Sequence, residues 1–245
     1  MTDPVHAVLF DFAGTLFSPV PARVWVADAA REVGLELPAE DLSRLAERCL
    51  AAGLPGGPYP TAVPDHLARA YALRDLSPSA HRAAYVGLLE RALEDHPGLA
   101  EVIYERILEP RGWVPYRDAR GVLHTLAERG LRLGVISNVG FDLRPILRHH
   151  GCAELARRCT LSFEEEVTKP DPRIFRAALR KLGTEPSETV MVGDHPEADG
   201  AAAELGLRTL VWPMSSPGDE HGLARVLSFM DGLPAPAYPP VPPPP

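Results

Sequence analysis

Four polar segments of this chain each follow a predicted strand, and their side chains are the types that phosphoryl chemistry needs. Asp11 ends Val8-Leu9-Phe10 and precedes Phe12-Ala13-Gly14-Thr15; Ser137 and Asn138 follow Gly134-Val135-Ile136. Lys169 follows Val167-Thr168, and Asp194 and Asp199 follow Val190-Met191-Val192-Gly193. A carboxylate such as Asp11 attacks phosphorus as a nucleophile and carries it as an aspartyl-phosphate. A lysine neutralises nucleophile and phosphoryl oxygens, here Lys169, while the Ser137 hydroxyl and the Asn138 backbone N–H orient those oxygens. Thr15 steadies the Asp11 loop and the phosphate. Asp11 and Asp194 close together demand a counter-cation, and hard oxygen ligands select Mg²⁺, with Asp199 bound directly or through water. Any one of these residues is an ordinary turn residue or N-cap. Their order at four successive strand ends carries the reading.

The elements that position them follow from hydrophobic period. Residues 5–10 read as a buried strand before a glycine turn. From Tyr116 the pattern alternates: helix 117–129, strand 131–136, helix 142–150, strand near 158–163, helix 171–182, strand 189–192, helix 197–205, strand 207–211. Such alternation predicts an α/β fold, a Rossmann-like parallel sheet covered on both faces, with ligands beyond the C-terminal strand ends. Residues 19–110 break the alternation. Leu42, Leu45, Ala46 and Leu50, and again Tyr85, Leu88, Leu89, Ala92 and Leu93, have helical spacing, and Gly53–Pro60 must be a loop. The expected division is a core of residues 1–17 plus 112–232, an inserted all-helical cap at 18–111, and an extended Pro-rich tail at 233–245.

Composition narrows the partners. A chain of 245 residues, 45% hydrophobic and 24% charged, is ordinary for a soluble globule. The net charge of −8 and scattered basic residues mark no nucleic-acid surface, so no nucleic-acid partner is expected. No signal-peptide pattern and no membrane-length apolar stretch is present, so a cytoplasmic protein with no membrane partner is expected. Cys49, Cys152 and Cys159 have no metal-ligand spacing, and Cys49 shares the apolar face of Leu42 and Leu45, which makes it a core thiol. Oligomeric state has no signature.

The segments Asp-Phe-Ala-Gly-Thr-Leu, Val-Ile-Ser-Asn, Thr-Lys-Pro-Asp-Pro and Val-Gly-Asp-His-Pro-Glu-Ala-Asp resemble the four motifs of the haloacid dehalogenase (HAD) superfamily. The resemblance covers roughly residues 5–16 and 116–212, and the helical stretch between the first two motifs is similar to a C1-type cap. It implies a hydrolase with Asp11 as nucleophile, Lys169, Ser137 and Thr15 beside it, and Gly14 and Asn138 at the substrate. It also implies a Mg²⁺ site of Asp11, Asp194, Asp199 and the Ala13 backbone carbonyl, and a small phosphorylated or otherwise anionic substrate.

Ala13 departs from that pattern. Phosphatases of the superfamily carry at this position an Asp that protonates the leaving oxygen, help worth about 10²–10⁴-fold. The phosphonoacetaldehyde hydrolase branch also carries Ala here but needs a cap lysine for its imine, and the only lysines are Lys169 and Lys181. Haloacid dehalogenases lack the second Asp too, yet they need no Mg²⁺, whereas Asp194 and Asp199 keep a metal-type fourth motif. The favoured reading is phosphoryl hydrolysis of substrates whose leaving group needs little protonation, or with a donor borrowed from cap or substrate. The alternatives are a non-catalytic or weakly active binding or regulatory protein and a 2-haloacid dehalogenase-type hydrolase. His66, His81, His96 and His195 are candidate donors, each expected to be a solvated surface residue. Phe17–Trp25 is expected to form a flap, with Arg23 meeting an anion and Trp25 lining the entry, or both serving in surface or hinge packing.

Overall fold

Residues 7–10 are apolar on both sides, and the computed structural model, which describes residues 4–96, 98–213 and 220–232, shows why. They form strand β1 (Ala7–Phe10), the centre of a five-stranded parallel sheet. Its neighbours are β4 (Arg132–Ser137) and β6 (Thr189–Gly193), with β5 (Cys159–Leu161) and β7 (Arg208–Val211) at the edges. Successive side chains of a strand face opposite ways. Ala7 and Leu9 therefore join Ile136, Phe175 and Met191 in one layer, while Val8 and Phe10 join Val135, Val190 and Val192 in the other.

The spatial order β5-β4-β1-β6-β7 reverses direction between β1 and β6, and crevices at such switch points hold ligands in open sheets. Phe10 pairs with both Val135 and Val192. That register brings the residues after β1, β4 and β6 out at one edge.

Helices α6 (Ala119–Glu128), α7 (Arg144–His149), α8 (Ala153–Arg157), α9 (Ser162–Glu165) and α10 (Pro172–Leu182) connect or cover the strands. The ends of α10 are chemically marked: the Asp171 carboxylate accepts from Arg173 N–H at 2.8 Å, Pro172 opens the first turn, and Gly183 closes the helix at φ +66°. The helix expected over 197–205 is a 3₁₀ helix at Gly200–Leu205. Asp199 turns its side chain back toward the sheet at the start of that short segment, and short connectors tighten in this way. One helix without a sequence-based expectation, α11 (Ala224–Met230), packs on α6. The Asp118 carboxylate accepts from the N–H groups of His221 and Leu223 and ties this segment down.

Between β1 and β4 lie α1 (Ala22–Glu32), α2 (Ala39–Ala51), α3 (Asp65–Ala72), α4 (Pro78–Ala92) and α5 (Leu99–Leu108). A two-stranded antiparallel ribbon, β2 (Phe17–Pro19) with β3 (Trp113–Pro115), stands where this helical insert leaves and rejoins the sheet. Trp25 is fully buried in the core that α1 shares with α2 and α5, so it packs the insert rather than lining an entry. Arg23 is exposed and donates to Ser43 Oγ at 3.3 Å. The Pro-rich tail expected at 233–245 lies outside the described residues. Among those described, no helix is long and apolar enough to cross a membrane.

Candidate functional site

Lys169 is the centre of the site. Its ammonium is buried and donates to Asp11 Oδ1 and to Asp199 Oδ1, each at 2.6 Å, and to the Ile136 carbonyl at 3.2 Å. Burial alone would lower its pKa, but the two carboxylates more than offset that and hold the proton on. The Asn138 side chain fixes the lysine's backbone from both sides: its Nδ2 donates to the Lys169 carbonyl at 2.9 Å and its Oδ1 accepts from the Lys169 N–H at 2.7 Å. The side chain of Asn138 thus has a role beyond that expected of its backbone N–H. An amide offers a donor and an acceptor together, and that pairing was the available signal.

Asp199 is fully buried, and its second oxygen accepts from the N–H groups of Asp194 (3.1 Å) and His195 (3.0 Å). With Lys169, this takes up three of the roughly four acceptor positions of a carboxylate. Asp194 packs against Gly14, where φ is +86° and a Cβ would stand 2.3 Å from Asp194 Oδ2. Only glycine combines that conformation with that approach.

Asp11, Asp194 and Asp199 each offer an oxygen within 4.8 Å of the others. Three carboxylates against one ammonium leave uncompensated negative charge. Burial, and then the charges of Asp11 and Asp199, push the Asp194 pKa up to about 8; burial, only partly offset by Lys169, pushes Asp11 up to about 6. A hard divalent cation among these oxygens relieves that repulsion, so the donor set fits Mg²⁺. The Thr15 hydroxyl, in the same loop, is buried without a hydrogen-bond partner, a state that costs about 1–3 kcal/mol unless something else satisfies it.

Two cavities meet here. One of about 370 Å³ is lined by Asp11, Lys169, Asp194, His195 and Asp199, with the exposed Tyr59 of the Gly53–Pro60 loop at its edge. The other, about 210 Å³, runs beneath the helical insert between Phe12, Trp113 and Phe141 on one side and Asp75, His81 and Tyr85 on the other. Ala13, Ser137 and Asn138 line both and mark the junction.

His81 corrects an expectation, because it is buried rather than solvated. Its Nδ1 is 3.0 Å from the Tyr104 hydroxyl, and the rings of Tyr85 and Phe141 pack on it. Burial, with Arg74 adding to it, lowers its pKa to about 4, so at neutral pH it is an uncharged imidazole, too weak an acid to protonate a leaving group. His195 Nδ1 accepts from the Ala198 N–H within its own turn. His66 is exposed and His96 partly so, and neither lines either cavity. Asp75, which no sequence motif marks, lines the second cavity. It belongs to a short non-helical gap between α3 and α4, and the only signal there was an acidic residue just before the Ser77-Pro78 helix start.

A family model described as haloacid dehalogenase-like hydrolase matches residues 5–206. The chain is 31% identical over 250 residues to a phosphoserine phosphatase of Thermus thermophilus, covering 92% of this chain and 99% of that one. It is 27% identical over 228 residues to a ribulose-1,5-bisphosphate 5-phosphatase of Halopiger xanaduensis, covering 87% of each. Among solved structures, a 2-haloacid dehalogenase of Pseudomonas syringae superposes with a TM-score of 0.58 at 24% identity, covering 93% of this chain and 99% of that one.

Proposed function

The chain belongs to the haloacid dehalogenase-like hydrolase family, and within it we propose a Mg²⁺-dependent phosphatase of small phosphorylated molecules that works through an aspartyl-phosphate on Asp11. The observation that carries this reading is the excess of carboxylate: buried Asp11 and Asp199 pair with one lysine while half-buried Asp194 joins their cluster, which suits a site that shares a cation with a phosphoryl group.

Asp11 attacks phosphorus while Lys169 spreads its charge over the nucleophile and the phosphoryl oxygens. The Ser137 hydroxyl and Asn138 N–H orient those oxygens, and Asn138's side chain keeps Lys169 in register. Asp11, Asp194 and the Ala13 carbonyl, with Asp199 directly or through water, would hold Mg²⁺, which would supply charge neutralisation for the transferring group. Water then hydrolyses the aspartyl-phosphate. Ala13 moves no proton, so acyl phosphates, aryl phosphates and anhydrides are favoured unless another group protonates the leaving oxygen. The insert, residues 18–111, acts as the cap that excludes water over the core of 1–17 plus 112–232. The net charge of −8 suits neither nucleic acid nor an anionic membrane, and the phosphatase relatives support a small phosphorylated substrate. Three free thiols suit the reducing cytoplasm.

The test is a panel of phosphate esters, acyl phosphates and 2-haloacids, each with Mg²⁺ and with chelator, for wild type and Asp11→Asn. Phosphate release that needs both Mg²⁺ and Asp11 is expected. Halide release in chelator sinks the reading in favour of dehalogenation. Silence of wild type toward the whole panel, with turnover appearing in Ala13→Asp, makes it a binding protein, the reading that Ala13 itself favours.

A further inference from the structure

The insert rests on the loop after β4, the loop that carries Ser137 and Asn138 at its start. A Cβ on Gly140 would lie 2.2 Å from the Arg74 carbonyl and 2.6 Å from the His81 Cβ, so the segment between α3 and α4 rests directly on this loop. The Ser162 hydroxyl fastens the contact by donating to the Asp75 carbonyl while accepting from the Val139 N–H at 2.8 Å. Asp75 is thereby anchored at the backbone. Its side chain, 22% exposed, lines the cavity that begins at Ala13.

A phosphoryl group seated between Asp11, Lys169 and Ser137 would have the cavity under the insert open to the rest of the substrate, with the leaving oxygen at the junction by Ala13. Of the titratable groups lining that cavity, His81 is a neutral imidazole, and Tyr85 is a phenol whose pKa burial raises far above the physiological range. Asp75 remains. Its carboxyl holds a proton more readily than usual because burial outweighs the attraction of Arg74 and the weaker pull of Lys169. Arg74, with Nη2 3.5 Å from Asp75 Oδ2, stabilises the carboxylate once the proton has gone.

Resting on the phosphatase reading above, we propose that Asp75 is the proton donor to the leaving group, the task that Ala13 cannot perform. As the bond from Asp11 Oδ to phosphorus forms and the bond from phosphorus to the leaving oxygen breaks, the Asp75 carboxyl proton passes to that oxygen, which departs as the alcohol. Water then attacks the aspartyl-phosphate, its proton returns to Asp75, and inorganic phosphate leaves with Asp11 restored as carboxylate. The donor comes from the insert, so alkyl phosphates that fill the cavity beneath it join the substrate class.

The experiment compares kcat/KM for alkyl, phenyl and nitrophenyl phosphates in wild type, Asp75→Asn and the double variant Ala13→Asp/Asp75→Asn, with thermal unfolding confirming that each is folded. kcat/KM reports transfer to Asp11 and is blind to the later hydrolysis. Asp75→Asn is expected to lose about 10²–10⁴-fold on the alkyl ester and to stay within about threefold on the nitrophenyl ester, whose leaving group needs no proton. The double variant is expected to recover the alkyl activity. An equal loss across the three esters, or none, overturns the role of Asp75 while leaving the phosphatase reading in place. Wild type inert toward all three, and toward acyl phosphates, overturns both.

Discussion

Replacing Gly14 by alanine separates backbone strain from damage to the carboxylate cluster. A Cβ there would lie 2.3 Å from Asp194 Oδ2 and 2.6 Å from its Cγ. Ordinary contact is near 3.5 Å, so the carboxylate must retreat by about 1 Å. Metal–oxygen distances hold to within about 0.2 Å, so a displacement of that size removes Asp194 as a ligand. Gly130 provides the control. Its φ of +80° is almost the same as the +86° of Gly14, but nothing stands within 4 Å of a Cβ at that position. Left-handed backbone costs a residue with a Cβ about 1–2 kcal/mol, and both variants should lose that much stability in chelator. They should part company when Mg²⁺ is added. At a concentration 100 times Kd, binding stabilises the fold by about 2.7 kcal/mol, and a site weakened tenfold returns only about 1.4. Urea unfolding with and without Mg²⁺ should therefore show the full ion-linked increment in wild type and Gly130→Ala, and half of it or less in Gly14→Ala. An undiminished increment in Gly14→Ala refutes the placement of Asp194 at the ion, and no increment in wild type refutes the ion site itself.

Two further perturbations test the electrostatics. Lys169→Met leaves Asp11 and Asp199 buried without their cation; breaking a buried pair in this way costs about 3–5 kcal/mol, so urea unfolding at neutral pH should show a loss of that size together with loss of turnover. A variant as stable as wild type would mean the lysine holds nothing together. His81 predicts an acid-side loss of stability. Its pKa falls from 6.5 in the unfolded chain to about 4 in the fold, so its stabilising contribution is complete above pH 6.5 and is lost as pH falls toward 4. Between pH 7 and pH 5 this one group removes about 2 kcal/mol in wild type, and His81→Phe should lack that part of the slope. Equal slopes would mean that the imidazole titrates freely in the fold.

The sheet and the strand-end residues were legible because their signals are local. A strand buried on both faces has to be apolar at consecutive positions, as Ala7–Phe10 and Thr189–Gly193 nearly are, and the residue after such a run emerges at the ligand edge whatever the rest of the fold does. The α10 boundaries were local too, since Asp171, Pro172 and Gly183 each act within one turn. The misses came from partners distant in sequence. His81 is buried because Tyr104 and Phe141 arrive from α5 and from the loop after β4, and nothing near position 81 announces either. The final helix is held by Asp118, whose partners His221 and Leu223 lie at the far end of the chain.

The same distinction explains why Ala13 resisted interpretation. The nucleophile and the fourth-motif carboxylates are announced by the strands that precede them, and the lysine by the Thr168-Lys169-Pro170-Asp171-Pro172 run that opens α10, so their chemistry can be read in order along the chain. A proton donor carried by the insert has no such address. It depends on Gly140 admitting the Arg74 carbonyl and on Ser162 capturing the Asp75 carbonyl, two contacts in which neither partner is a motif residue. An alanine at position 13 leaves the local pattern incomplete, but it also clears the junction between the two cavities, where an aspartate side chain would otherwise stand. Moving the donor to the insert ties proton transfer to closure: with the insert displaced, Asp11 and Lys169 keep their positions on the sheet, while the acid leaves with the helices.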